Sequence, residues 1–441
     1  MIVYKIGGSC LQSKEDIHRV IEIVKASDKP VIVCSAFKGV TDELVAAAKC
    51  ALEGKQDVSK IEKVYLDAAG TLKGSRGQVE PAVKQLIAEL KRTLEGIEKS
   101  GELTLKLNDR VIAFGERAVV PIVAGYLNDA GIPAIALDGA DAGFITDSVF
   151  GNATVHGDKL QLVKEKISAC GNKVPIVAGF VGKTEDGFIT TLGRGGSDYT
   201  ATVIGAAMKC EVVLFKDVNG LMTADPKIVP NAKIVREINH LDALEIAHYG
   251  SRVIFEKSVV PAMRAKIPLR IKPFNSSEPG TLVTSEETKN IIVSSVKKAV
   301  IMNVHGYKEM MSIFADLVKE LDQMKIFPLA ITESSYGGEI SIVVDEERAG
   351  LIEKGLKKIH KSENKENGIF EVKKGLGMVA VIGHGMKGRV GTAAAIFGAL
   401  AKAEINVVAI AQSASERNIS VVIDKDKIEL ATRVLHDTFI K

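Results

Sequence analysis

Neither sign of charge dominates this 441-residue chain: 58 Lys and Arg stand against 55 Asp and Glu, a net charge of +3. That balance excludes the concentrated basic face of a polyanion-binding protein, while leaving room for a local anion site. Cysteine is scarce. Cys10, Cys34, Cys50, Cys170 and Cys210 are scattered, odd in number and without a Cys-x-x-Cys pair. This argues against a disulfide framework or a zinc site and fits a reducing compartment. No apolar run approaches the roughly 18 residues that span a bilayer. The start, MIVYKIGGS, has no basic stretch ahead of a long apolar one, so no signal peptide is read. The expectation is a cytoplasmic protein with no membrane and no nucleic-acid partner. There is no G-x-x-x-x-G-K-[ST] and no H-R-D with D-F-G, which excludes P-loop enzymes and protein kinases. KIGGSCL lacks the third glycine at Rossmann spacing, which disfavours a nicotinamide enzyme.

What is present is ample apolar residue (46%) in a chain long enough for two to four domains. IVYKI (2–6), PVIVCSA (30–36), VPIVAGFVG (174–182) and EVVLFKD (211–217) are β-type runs. Between the first two, Ile17, Val20, Ile21 and Val24 fall at helical spacing, with Ser13 and Asp16 as a helix start. Such alternation predicts a buried, mostly parallel sheet with helices on both faces. KTEDGFITTL reads as a hairpin that makes part of that sheet antiparallel. The polar 52–64 and charged 84–106 stretches read as exposed helices. Beyond residue 297, EISIVVD ends at Asp345 and NISVVID at Asp424, each following a similar helix. Two βαββαβ copies are the simplest reading, with the charged turn 361–368 between them. The boundaries are a first domain at 1–283, a linker at 284–297, and copies at 298–374 and 375–441 that are free to interleave.

Several short constellations suit an anionic ligand. KIGGS places two glycines after a strand, where backbone amides can approach an anion closely, with Lys5 as a fixed charge. A plain turn with a snorkelling lysine would read the same way. GRGGSDYTA repeats the strand, Gly-rich loop, helix pattern, with Ser197 as N-cap and Asp198 in the first turn. Arg194 stands at the carboxyl edge of the sheet, and its planar fork suits a carboxylate or phosphate. Asp217 ends a buried strand, Asp225 precedes Pro226, Glu116 follows the glycine of FGER, and Ser35 and Thr41 bracket a loop, Thr41 as the cap of the next helix. Gly-rich cradles, a lysine, an arginine and strand-end acids are together what phosphoryl transfer asks for, since its catalysis is mostly positioning and charge neutralisation.

KIGGS, SAFKGVTDEL, FGE, TDSVFGNATV, VPIVAGFVG, TTLGRGGSDYTA, KDVNGLMTADP and VVPAMRAKIPL, in this order, resemble the aspartate kinases of the amino acid kinase superfamily. GHGMKGRVGTAAAIFGALAKAEINV resembles the ACT regulatory domains attached to them. The resemblance covers nearly the whole chain. It implies an α/β amino acid kinase fold followed by two ferredoxin-like ACT domains. It implies transfer of a phosphoryl group from ATP to the β-carboxylate of L-aspartate, the entry step to lysine, threonine and methionine. By resemblance, Lys5 lies beside the transferred group with Gly7, Gly8 and Ser9, and Asp198 orients that lysine. Arg194 would grip the α-carboxylate of aspartate and Glu116 its ammonium, with Ser35, Thr41 and Ser197 completing the pocket. Lys216, Asp217, Asp225, Lys227 and Arg252 match nucleotide-side positions. Mg²⁺ would arrive mainly on the ATP, with few dedicated protein ligands.

The chain departs from the family at Cys10, in the ATP loop, and in RVIFEKS (252–258). In the first ACT copy, Ser312, Ile313 and Leu329 stand where lysine-sensitive relatives carry a Gly-Phe pair and an acid. Asn406, Gln412 and Asn418 in the second copy suit an effector or an interface. The effector stays open between lysine, threonine, both or neither. A homodimer or dimer of dimers through residues 298–441 is expected. Two alternatives stand beside this reading: a kinase for acetylglutamate, glutamate or a uridylate, and an ACT-bearing sensor with a degenerate kinase domain.

Overall fold

The computed structural model describes residues 1–251, 253–305, 310–324, 326–334, 338–362 and 369–440. They divide into two compact units, Met1–Leu221 with Val253–Glu286, and Met222–Arg252 with Glu287–Lys441. Residues 222–252, read as part of the first domain, thus cluster with the C-terminal part of the chain.

The first unit holds β1 (Ile2–Ile6), β2 (Pro30–Cys34), β3 (Ala134–Leu137), β4 (Ile145–Thr146), β5 (Val174–Ala178), β6 (Val181–Thr184), β7 (Ile189–Thr191) and β8 (Val212–Lys216). Beyond β9 (Glu237–Asn239) of the other unit come β10 (Leu269–Pro273) and β11 (Thr281–Thr284). Seven of these adjoin in the order β3-β5-β2-β1-β8-β10-β11, parallel except for the β10–β11 pair. Strands β2 and β5 are buried at every residue, as their unbroken apolar runs require when helices cover both faces. The 174–182 stretch is not one strand. It breaks at Gly179-Phe180, where Phe180 takes φ +67°, a conformation rare outside glycine. The chain then enters the β6–β7 hairpin, which joins β4 in a separate three-stranded sheet and not the main one.

The helices of this unit are α1 (Lys14–Lys25), α2 (Val40–Ala51), α3 (Ser59–Gly70), α4 (Arg76–Ser100), α5 (Leu105–Ile112), α6 (Phe114–Asp129), α7 (Leu160–Ser168) and α8 (Gly196–Met208). Beyond α9 (His240–His248) of the second unit comes α10 (Glu256–Ala265). A capping box starts α1: Ser13 Oγ accepts from Asp16 N at 3.1 Å, and the Asp16 carboxylate accepts from Ser13 N at 3.0 Å. Helices α3 and α4 are not merely exposed. Ile61, Tyr65 and Ala69 of α3 and Val83, Ile87, Leu90, Leu94 and Ile97 of α4 enter the core. The stretch Leu105–Asp129 is long and apolar enough to cross a membrane by length and composition, against the expectation of no such run, yet 78% of its apolar window is buried inside the unit.

In the second unit, β12 (Ile292–His305), β13 (Ala330–Ser334), β14 (Glu339–Asp345), β15 (Ile369–Ile382), β16 (Ala409–Gln412) and β17 (Asn418–Asp424) form one sheet. Its order is β13-β14-β12-β15-β17-β16. Strand structure therefore begins at Ile292, inside the stretch read as a linker. Strand β12 serves both copies. Its first part, Ile292–Val296, pairs with Met378–Ile382, and its second, Ala299–His305, with β14 and the start of β15. The register shifts between Val296 and Ala299, where Lys297 and Lys298 point into solvent. One copy is thus strand, α11 (Met310–Gln323), two strands, α12 (Glu346–Ser362) and strand. The other runs β15, α13 (Thr392–Lys402), β16, β17 and α14 (Ile428–Phe439), and takes its fourth strand from ahead of the first copy. Each copy has its own core, Val300, Met302, Leu317 and Ile342 in one, Val293, Val381, Ile396 and Leu435 in the other.

Candidate active site

Strands β1, β2 and β8 end together at one edge of the main sheet, as parallel register demands. There, in the first unit, lies a cavity of about 420 Å³. Lys5, Gly8, Ser35, Thr41, Glu116, Arg194, Ser197, Asp198 and Lys216, all chosen from sequence, line it.

Asp198 organises the floor. It is 2% exposed, with Oδ1 3.0 Å from Lys5 Nζ and Oδ2 accepting from Lys216 Nζ at 2.6 Å. Burial would raise the Asp198 carboxyl, but the two ammonium groups outweigh it and hold it below the ordinary carboxylate range. Burial pushes Lys216 below its ordinary value, with Asp198 pulling the other way. Two ammonium groups sharing one carboxylate leave one net positive charge facing the cavity.

The backbone supplies more positive potential. Gly193 and Gly195 both take φ +74°, so Arg194 is carried between two left-handed residues. Gly195 is the N-cap of α8, and Ser197 sits in the first turn, two residues past the cap position. Gly196, Ser197 and Asp198 of the first turn line the cavity, at the end of the helix where amides lack intrahelical partners, and Gly196 N donates to Gly193 O at 2.9 Å. Likewise Gly39, at φ +83°, caps α2, and Thr41 lies in its first turn. No helix follows β1 directly: a short turn, Gly8–Cys10, comes first and α1 starts at Lys14. A Cβ on Gly8 would lie 2.4 Å from Ala36 O, so only glycine lets this turn rest on the loop after β2.

Glu116, in the first turn of α6, is 4% exposed and not an exposed helix-start acid. Its Oε2 has no hydrogen-bond partner. Burial raises its carboxyl to about 7, against the amide of Ala36 and the charge of Lys5. Arg194 is exposed, its guanidinium carbon 5.9 Å from the centre of the Phe255 ring, and Lys216 Nζ lies 5.5 Å from the same centre.

The remaining candidates fall elsewhere. Gly7 and Ser9 flank Gly8. Cys10 is packed, and burial first of all raises its thiol. Asp217 is exposed, one residue past β8. Asp225 and Lys227 belong to the second unit, where Lys227 N donates to Asp225 Oδ1 at 2.9 Å in a local turn. Arg252 and the side chains of Ser312 and Ile313 lie outside the described residues. Leu329 N donates to Val343 O at 2.7 Å. Asn418 is buried and its amide donates to Glu245, while Asn406 and Gln412 are exposed. Among the described residues no three His, Cys, Asp or Glu side chains cluster to hold a metal ion. The cavity also has walls that sequence reading passed over: Lys38, Asp42, Phe180 and Phe255. Lys38 lies in the SAFKG loop, within reach of sequence reading, whereas Phe255 lies in RVIFEKS, marked only as a departure from the family, and is brought there at the start of α10.

The amino acid kinase family matches residues 1–273, and the ACT domain matches residues 379–439. The chain is 32% identical to aspartokinase 1, chloroplastic, of Arabidopsis thaliana, over all of this chain and 80% of that one. It is 30% identical to the aspartokinase of Corynebacterium glutamicum, over all of this chain and 96% of that one. In fold it matches E. coli aspartokinase III, solved with aspartate and ADP in the R-state, with a TM-score of 0.84 at 24% identity over the whole of both chains. A 1–273 kinase match, ACT homology and full-length similarity to the plant and bacterial enzymes leave one assignment: the chain belongs to the amino acid kinase family and, within it, to the aspartokinases.

Proposed function

We propose that the chain transfers a phosphoryl group from ATP to the β-carboxylate of L-aspartate, giving 4-phospho-L-aspartate and ADP. The observation that carries this reading is Asp198 held between Lys5 and Lys216 on the floor of a cavity faced by the Gly8 turn and the start of α8. Acceptor and nucleotide are both anionic, so their repulsion must be offset first. Lys5 and Lys216 do this with fixed charge, and Asp198 holds their ammonium groups in place. Backbone amides of the Gly8 turn and of α8 add donors that need no reorganisation. Arg194 takes the α-carboxylate of aspartate through its planar fork. The ammonium of aspartate gives the unpartnered Glu116 Oε2 its counter-charge. Ser35, Thr41 and Ser197 add hydroxyl contacts. Gly7, Ser9, Lys216 and Asp217 serve the nucleotide. The attacking carboxylate is already ionised at neutral pH, so no general base is required. Mg²⁺ would come with ATP and would supply further positive charge against the transferred group.

The two ACT copies support feedback by an end-product amino acid. E. coli aspartokinase III has been solved with lysine and aspartate in a T-state, and lysine and threonine are the effectors to try here. The outer strands β13 and β16 carry exposed Ile331 and Ile410, which supports a homodimer or dimer of dimers through the ACT copies. A monomer in sedimentation at micromolar concentration would overturn that.

ATP turnover with L-aspartate, acetylglutamate, glutamate and a uridylate, with and without lysine and threonine, tests the reading. Turnover specific to aspartate supports it; turnover with another acceptor, or none, overturns it. Lys5→Ala is expected to lower kcat about 10²–10³-fold, because its charge matters most in the transition state. Arg194→Ala is expected mainly to raise the KM for aspartate, by roughly tenfold or more. Equal kcat losses with unchanged KM would show that the roles are misassigned.

A further inference from the structure

Lys257, the second residue of α10, has its ammonium among carbonyl oxygens. Nζ lies 2.7 Å from Ala153 O, 3.0 Å from Leu192 O, 3.2 Å from Asn152 O and 3.1 Å from Asn152 Oδ1. The ring centre of Tyr199 is 5.3 Å away. Among the described residues no carboxylate forms an ion pair with Lys257, and Asp147 acts on it only at longer range. An ammonium has three hydrogens to give. Four oxygens around it are a coordination shell more than a set of directed bonds, and neutral carbonyl shells of this kind are what K⁺ accepts in place of water.

The shell joins the loop at 152–153 and the residue after β7 to α10, and each part bears on the Arg194 turn. Leu192 directly precedes Gly193, Arg194 and Gly195. The Asn152 side chain fills the space beside Gly193, since a Cβ there would lie 2.5 Å from Asn152 Oδ1. We propose that the Lys257 ammonium is a built-in monovalent cation that fixes the turn presenting Arg194, and that the shell without it is a binding site for K⁺ or NH₄⁺. Lys257 is then a positioning residue, acting on substrate through Arg194. Burial lowers its own ionisation to about 8, with Asp147 opposing, so it still carries its charge at neutral pH. The proposal rests on Arg194 being the group that binds the acceptor's carboxylate.

The test compares Lys257→Ala and Lys257→Met in choline chloride, KCl and NH₄Cl at equal ionic strength. In choline, Lys257→Ala is expected to raise the KM for aspartate roughly tenfold while kcat changes less than about threefold, as for loss of charge-assisted hydrogen bonds outside the reacting atoms. KCl and NH₄Cl should return KM toward the parent value and raise the melting temperature of Lys257→Ala alone. Lys257→Met fills the space with an uncharged chain and should show the higher KM with no rescue. An unchanged KM in either variant, or an Ala variant equally impaired in all three salts, would overturn the proposal. The melting shift is read without substrate. If the parent chain does not turn over aspartate, the proposed function fails, while a K⁺-specific melting shift still upholds the shell and its absence still overturns it.

Discussion

A buried carboxyl group with one oxygen left without a hydrogen-bond partner behaves as a proton store. Glu116 ionises at about 7 in the folded chain against 4.5 when unperturbed, because burial disfavours its charge. Between those values the folded chain keeps a proton that the unfolded chain has released. Its stabilising effect is complete below the unfolded value and is lost as pH rises through the folded one, so ligand-free stability falls across that window. Under the proposed role of Glu116, substrate binding runs the other way, since the ammonium of aspartate needs the ionised form. Below pH 7 each aspartate bound must expel one proton, and its KM should climb toward about tenfold per pH unit. Glu116→Gln should raise KM and flatten the profile. A parent KM that stays level below pH 7 would refute the role. The position of Glu116 was legible in FGER, but its burial was not, because α6 becomes a core helix only through the elements that cover it.

Helix starts separate what a local pattern can say from what it cannot. Ser13 and Asp16 form the capping box that their spacing announces. Ser197 and Thr41 have the right chemistry for caps, yet both helices begin two residues earlier, on left-handed glycines. The glycines win because the loop must turn sharply at the sheet edge, and an L-residue there would be strained. A Cβ on Gly195 would also lie 2.5 Å from the Phe255 ring. Ser13→Ala should therefore cost about 1 kcal/mol in denaturant unfolding and leave kcat and KM unchanged. Gly195→Ala should cost about 1–3 kcal/mol and raise the KM for aspartate, since it displaces the Arg194 turn. Two variants with equal kinetics would contradict this division. Lys5, Asp198 and Arg194 could be picked out because strand, glycine and helix follow one another in sequence. Phe255 and Lys257 could not, because α10 meets the site only through helix packing.

At the scale of the whole chain, the second unit is tied together by contacts remote in sequence. Arg417, 7% exposed, bonds Asp242 Oδ1 at 2.8 Å, and the other Asp242 oxygen accepts from His384 N at 3.1 Å. Asp242→Ala leaves the arginine buried without its main partner and should destabilise the unit by about 3–5 kcal/mol. The double variant Asp242→Leu with Arg417→Leu should recover most of that. A single variant as stable as the parent in chemical denaturation would show that the pair carries no such weight. The repeat itself was readable from ISIVVD and ISVVID, but the shared strand was not, because KNIIVSSVK is only weakly apolar and its pairing is settled by partners far downstream.

That sharing imposes an order on synthesis. Ile292–Val296 leaves the ribosome about 80 residues before the strand it pairs with, several seconds at ordinary elongation rates. Until then the segment lacks the strand that it pairs with. The first copy, whose strands lie between, can close while the second waits with its earliest strand already made. The nascent chain is most exposed to misassembly in that interval, and any slowing of translation between residues 306 and 378 would lengthen it.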